Sequence, residues 1–263
     1  MDSIQILGYL GALIVGLVLG LIGGGGSILT VPLLVYLLGY NPVMATAYSL
    51  FVVGVSSMVG TYQKYKKGLV DFKVGLAFSF PSFLAVYLSR RFVVPGIPET
   101  LVSFGNYELT KDMAIMVFFA AIMIIAAFSM IKKGNPQEQF TAKQPYYKTF
   151  IQGLTIGTIT GLIGAGGGFL YVPALVLWAN IPMKKAVGTS LIIVTINSLI
   201  GFLGDVQTLN IEWDFLLIFT LISVLGIVIG VFFSKFISGE KLKKSFGYFV
   251  LIMATYIIYK ELY

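Results

Sequence analysis

The chain contains no histidine and no cysteine. The first absence removes the commonest metal ligand and the side chain best suited to proton transfer near neutral pH. The second excludes disulfides, thiolate metal sites and thiol chemistry. A rhomboid-type intramembrane protease would lack its base, and a metal-dependent one its ligands. No enzyme and no cofactor is expected. Charge is scarce as well: 11% of the 263 residues are charged, against about 25% in a soluble domain. Of the rest, 57% of the chain is hydrophobic and the mean hydropathy is +0.92.

What is present is a series of long apolar runs: Ile4–Ile22, Val43–Tyr62, Phe72–Leu88, Met113–Ile131, Lys184–Leu203, Phe215–Phe233 and Phe246–Tyr259. Most approach the ~20 residues that cross a bilayer as a helix. The reading is an all-α polytopic membrane protein, with no soluble domain. No cleavable leader is expected, because Asp2 precedes the first run and no basic stretch or small-residue cleavage site accompanies it. The net charge of +7 fits cytoplasmic loops of a membrane protein, not nucleic-acid binding.

Two glycine stretches stand out, "GLIGGGGSILTVP" at 20–32 and "GLIGAGGGFLYVP" at 161–173. They superpose at an offset of 141 residues, the distance from Pro32 to Pro173. The register continues through Ser49, Leu50, Val53, Ser57 and Gly60, which face Ser190, Leu191, Val194, Ser198 and Gly201. It holds at a loop, where Asp71–Phe72 meets Glu212–Trp213. Such a period marks a duplicated unit. The expected organisation is a first transmembrane repeat over 1–131, a polar cytoplasmic linker over 132–148 and a second repeat over 149–263.

The second segment of each copy is short. Ile28–Gly39 and Phe169–Ala179 hold 12 and 11 residues, or ~18 and ~16 Å as helices. Neither can cross a hydrocarbon core of ~30 Å. Read as continuations of the preceding helix, they divide the 18 basic residues 9 to 9 between the two sides of the membrane. Read as Gly-tipped re-entrant hairpins, each followed by three transmembrane helices, they divide them 14 to 4, as the positive-inside rule requires. The hairpin reading places both termini outside the cytoplasm and makes the two copies an inverted-topology repeat. The Arg90–Arg91 pair is the main exception to the bias.

At a hairpin tip glycine permits backbone angles that other residues resist. The helix that follows begins with unpaired N–H groups and a positive dipole end, which suit an anion. Two tips meeting near mid-membrane would form a cradle without fixed charge. The candidate ligand-binding residues are therefore Gly23, Gly24, Gly25, Gly26 and Ser27 in the first copy, with Gly164, Gly166, Gly167 and Gly168 in the second. Ser49, Ser190 and Asn197 join them from the following helices. Gly16, Gly20 and Gly24, and likewise Gly153, Gly157 and Gly161, recur every four residues, a helix-packing pattern. Asp71 and Glu212 are placed to cap helices. No acid or base is expected deep inside a segment, so no buried carboxylate relay is visible.

At these residues the chain resembles the sulfite exporter TauE/SafE family of anion permeases. The resemblance rests on "GLIGAGGGFLYVPALVLW" followed by "AVGTSL", on the diverged first copy ending in "ATAYSL", and on the later "KKGLVDF" and "GEKLKKSFGYFVL". It implies a secondary transporter in the cell membrane for sulfite or organosulfonates. Alternating access by rocking of the two halves would expose the tip glycines, Pro32, Pro173, Ser49 and Ser190 to each side in turn. Ser27 and Tyr48 stand where the second copy has Gly168 and Thr189, so the two halves of a site would be unequal. The expected partners are a small sulfur anion and the lipid bilayer, with no nucleic acid; a homo-oligomer stays open. An anion channel of the same architecture and a scaffold without cargo remain alternatives.

Overall fold

The computed structural model describes residues 3–24, 26–104, 107–131, 146–164, 166–177, 179 and 181–262. Most of the expected linker, and Gly25, lie outside the described residues. Helix α1 (Ser3–Ile22) stops at Gly23, whose φ of +82° ends regular helical geometry. Helix α2 (Gly26–Pro32) then runs back along α1. Gly26 lies on Val15 and Leu19, Gly11 on Leu33, and Gly8 on Leu38, so the two strands of this hairpin are antiparallel. Pro32 has no N–H to donate, and the chain opens into a π-helical turn over Leu33–Leu37.

Helix α3 (Pro42–Lys66) begins cleanly: Pro42 occupies the first turn, and the Asn41 side chain accepts from the Met44 N–H at 2.8 Å. Helix α4 (Phe72–Leu88) is capped by Asp71, which accepts from the Val74 N–H at 3.2 Å. A π-helical turn (Ser89–Val93) and the short α5 (Val94–Gly96) follow. An antiparallel hairpin, β1 (Thr100–Phe104) with β2 (Tyr107–Thr110), then fills the segment where the first copy is longer than the second. The chain continues through α6 (Lys111–Ile131), α7 (Tyr146–Ile163), α8 (Gly168–Leu177), α9 (Met183–Asp205), α10 (Trp213–Phe233) and α11 (Gly239–Leu262).

Among the described residues six segments are long and apolar enough to span a bilayer: Gln5–Ile22, Pro42–Lys66, Phe72–Gly96, Lys111–Ile131, Met183–Asp205 and Trp213–Phe233. The seventh apolar run of the sequence lies within α11, whose ends carry Glu240, Lys241, Lys260 and Glu261. Large apolar side chains such as Ile14, Phe80, Phe128, Leu225 and Ile252 project from the outside of the bundle. In water they would be a liability; against lipid they are the expected surface.

The most extensive helix contacts join the two copies. Gly16 and Gly20 of α1 lie against the backbone of Ser223, Ile227 and Val231 in α10, in parallel register. Gly153, Gly157 and Gly161 of α7 lie in the same way against Phe78, Ser82 and Val86 of α4. These are the glycines of the four-residue pattern, and their missing Cβ atoms let the backbones touch. Equivalent helices α3 and α9 cross antiparallel, with Leu50 near Gly201, Gly54 near Leu199 and Gly60 near Leu191. Helices α6 and α11 also run antiparallel, Gly247 packing on Ala127, Met130 and Ile131. One apolar core, built around Ile28, Phe119, Phe169 and Val250, takes residues from both hairpins and both closing helices.

Candidate functional site

The two glycine stretches meet. A Cβ on Gly24 would collide with the backbone of Gly168, and one on Gly168 would collide with Gly24. Neither position tolerates a side chain without movement of main chain. Around this contact Gly164, Gly166 and Gly167 adopt φ of +68°, +64° and +67°, a region open to glycine and costly for most other residues. Gly164 presses on Thr46, and Gly166 lies beside Ser198 and Val53. Gly23 rests against Val187. Gly25 and the Ser27 side chain lie outside what the structure describes.

The other sequence candidates reach this region from α3 and α9. Ser190 Oγ points at the first tip, 2.6 Å from the Gly23 carbonyl and 2.9 Å from that of Val187. Its single proton is committed to these carbonyls. Among the described residues the equivalent Ser49 Oγ is buried without a hydrogen-bond partner, as are Ser57 Oγ and Ser198 Oγ. An unsatisfied buried hydroxyl costs about 1–3 kcal/mol. Ser198 Oγ lies beside Gly166 of the second tip, while Ser49 and Ser57 are buried on α3, the helix that carries Thr46 and Val53 to that tip. These hydroxyls call for a ligand. Ser57 and Ser198 are repeat equivalents, and they answer this description better than Ser190 does.

Asn197 is already engaged. Its Nδ2 donates to Ser82 Oγ at 2.7 Å and to Tyr171 Oη at 2.6 Å, and those two hydroxyls also touch each other. This knot ties α9, α4 and α8 together just behind the second tip. At the equivalent place in the other copy Ser56 Oγ meets Ser223 Oγ at 3.0 Å. The unequal pair Tyr48 and Thr189 also does matching work. Tyr48 Oη accepts from the Glu212 N–H at 2.8 Å, and Thr189 Oγ1 accepts from the Asp71 N–H at 2.9 Å. Each hydroxyl holds the loop that leads into α10 or α4. Both acids were expected to cap; Asp71 does, while the Glu212 side chain instead accepts from Tyr40 Oη at 2.9 Å.

The expectation of a charge-free interior fails, most completely at Arg90 and Asp205. Arg90, fully buried, donates from Nε to both Asp205 oxygens at 2.8 Å, with Nη2 2.7 Å from Oδ2. Its Nη1 donates to Thr46 Oγ1 at 3.0 Å, and Thr46 in turn touches Gly164. A cavity of about 410 Å³ lies over Asp205, lined also by Asn41, Val94, Glu99, Lys111 and Thr208. The ion pair therefore separates that cavity from the second glycine tip. Sequence reasoning missed it because the partners are far apart in the chain and sit at segment ends. The signal that was available is Arg90 itself, a cation on the wrong side of the charge bias.

These features carry no acid–base or nucleophilic constellation; they describe a polar seam through an apolar bundle. A family model, sulfite exporter TauE/SafE, matches residues 8–257. The chain belongs to the TauE/SafE family. Its relatives point the same way. A probable membrane transporter protein of Xylella fastidiosa (strain Temecula1) is 28% identical over 261 residues, covering 94% of this chain and 92% of that protein. The probable membrane transporter protein YunE of Bacillus subtilis (strain 168) is 30% identical over 239 residues, 80% of this chain and 81% of its own. One from Methanocaldococcus jannaschii is 28% identical over 210 residues, 76% and 73% of the two chains. No solved structure matches. The protein is a multi-pass membrane transporter of the TauE/SafE family, and its relatives are named as transporters, not as enzymes.

Proposed function

We propose that the protein is a secondary carrier of small sulfur oxyanions such as sulfite or an organosulfonate, held beside the two glycine tips. The observation that carries this reading is the contact between Gly24 and Gly168, with the Ser198 hydroxyl, unpartnered among the described residues, beside the neighbouring Gly166. Ser49 and Ser57 are buried hydroxyls of the same kind on α3. Backbone N–H groups at hairpin tips and neutral hydroxyls bind an oxyanion without a fixed countercharge. Such a site releases its cargo readily, as a carrier must. Gly23, Gly24, Gly25, Gly26, Ser27, Gly164, Gly166, Gly167, Gly168, Ser49, Ser190 and Asn197 form the wider site in this reading. Ser190 and Asn197 act there through Gly23 and Tyr171.

In the same reading residues 1–131 and 149–263 are inverted repeats joined by a cytoplasmic linker, and each hairpin is re-entrant. The antiparallel crossings of α3 with α9 and of α6 with α11 support the inversion, since equivalent helices should oppose each other across an in-plane axis. The reversal of α2 along α1 supports the hairpin. Neutralisation of Arg90 by Asp205 supports the placement of both termini outside the cell membrane, because the exception to the charge bias is then a paired charge. The moving bodies in alternating access are not the two sequence halves. The interlocked backbones of α1 with α10 and of α4 with α7 make cross-copy units that carry the tips.

The test is isotope flux of sulfite in proteoliposomes. Saturable uptake by the wild type, lost in Gly166→Val while the protein still inserts, is the expected result. Non-saturating flux would favour a channel. Undiminished flux in Gly166→Val would remove the tips from the mechanism.

A further inference from the structure

The two ends of the bundle are built on one plan but charged differently. At the offset of 141 residues Asp205 corresponds to Lys64, Arg90 to Val231 and Thr46 to Val187. The end with the 410 Å³ cavity thus holds a complete ion pair. The opposite end holds a cation where the acid would be and an apolar residue where the arginine would be.

Lys64 is only 4% exposed. Its Nζ donates to Ser234 Oγ at 2.8 Å, and the Ser234 proton goes on to the Val231 carbonyl at 2.9 Å. The hydroxyl therefore aims the ammonium without neutralising it, and uses one of its three donors. Among the described residues Lys64 forms no ion pair. The neighbouring charges are like charges, Lys67 and Lys184. The acid closest to this loop, Asp71, is engaged by Lys185 at 3.1 Å and by the Val74 N–H. A buried cation repelled by two others and facing no carboxylate is an unsatisfied charge, and such a charge is retained where an anion visits.

We infer that Lys64, oriented by Ser234 and reinforced by Lys67 and Lys184, is a second binding site for a small oxyanion, at the end of the bundle opposite the Arg90–Asp205 pair. The inference rests on the anion-carrier reading for its purpose, and adds an entry site that the tips do not provide. Neighbouring contacts give it a route inward. Gly188 packs beside Lys64, and Val187 packs against Gly23 at the first tip.

The experiment is the thermal unfolding of purified protein with sodium sulfite, against sodium chloride at equal ionic strength. Wild type is expected to rise by about 3 °C at a tenfold excess over Kd. Lys64→Gln should raise the apparent Kd for sulfite at least tenfold, and Lys64→Arg should stay within threefold of wild type. In chloride, Lys64→Gln should melt no lower than wild type, since it removes a buried uncompensated charge. Gly166→Val should lose flux and keep the Lys64-dependent rise. No rise in wild type, or an unchanged Kd in Lys64→Gln, overturns the site. A rise that needs Lys64 in a protein without sulfite flux would keep the site and remove the carrier reading.

Discussion

Asp205→Asn should be among the most damaging single changes outside the glycine tips, and the pair Arg90→Met with Asp205→Leu should be far milder. Arg90 and Asp205 have side-chain exposures of 0% and 3%, and three guanidinium contacts of 2.7–2.8 Å join them. Breaking a pair so buried leaves an uncompensated charge, which costs about 3–5 kcal/mol. The cavity over Asp205 lets water relieve part of that for the acid, so Arg90→Met should sit toward the low end and Asp205→Asn, which strands the arginine, toward the high end. Replacing both removes the desolvation cost together with the attraction, and brings the loss to within about 1 kcal/mol of wild type. A double-mutant cycle from thermal unfolding in nanodiscs reads the difference, at roughly 2–4 °C per kcal/mol for a chain of this size. Coupling below about 1 kcal/mol, or a double variant as unstable as Asp205→Asn, would refute the reasoning.

Other outcomes follow from the same geometry. Ser57→Ala and Ser198→Ala remove hydroxyls that have no partner among the described residues, so unfolding should change by less than about 0.5 kcal/mol while sulfite flux falls several-fold. An equal loss of both would make them structural. Gly24→Ala meets the Gly168 backbone and should lower transport severely with insertion intact, as read by flux beside a surface-accessibility assay. Acid should weaken the Lys185–Asp71 end of the molecule. Burial raises the Asp71 carboxyl, but the Val74 N–H and Lys185 outweigh it and hold it below the usual range. Its contribution is therefore complete above the unfolded pKa of about 3.9 and fades as pH falls through the lower folded value. Melting of Asp71→Asn should lose that acid-side slope, and a slope identical to wild type would exclude the carboxylate as its source.

The all-helical membrane character and the two glycine stretches that meet at Gly24 and Gly168 were legible, because long apolar runs and glycine runs are local signals. The same is true of the helix-packing glycines, where a four-residue period marks one face. Charge was legible only as a count on each side, and so Arg90 looked like an exception to topology. Its partner became visible only when α4 and α9 lay side by side, Gly204 against Arg90. Tyr48 and Thr189 misled for a different reason. Their side chains differ in length, yet each hydroxyl accepts the N–H of the residue just before the next helix, Glu212 for Tyr48 and Asp71 for Thr189. Among the serines, the sequence could rank repeat-matched pairs but not assign their protons. It took Ser190 on the Gly23 carbonyl to show which hydroxyls are left over.

The interlock of α1 with α10 has a consequence for how the molecule is made. Gly16 and Gly20 find their backbone partners on a helix that begins at Trp213. At translation speeds of about 5–20 residues per second, α1 waits roughly 10–40 s for it. During that interval the first-made helix stands in the lipid with a bare groove, and the four-residue glycine face is open to any small-residue helix nearby. Assembly of this transporter is therefore completed from its last third backwards, and damage near the C-terminal end should show first as early degradation of a nascent chain whose N-terminal half was inserted correctly.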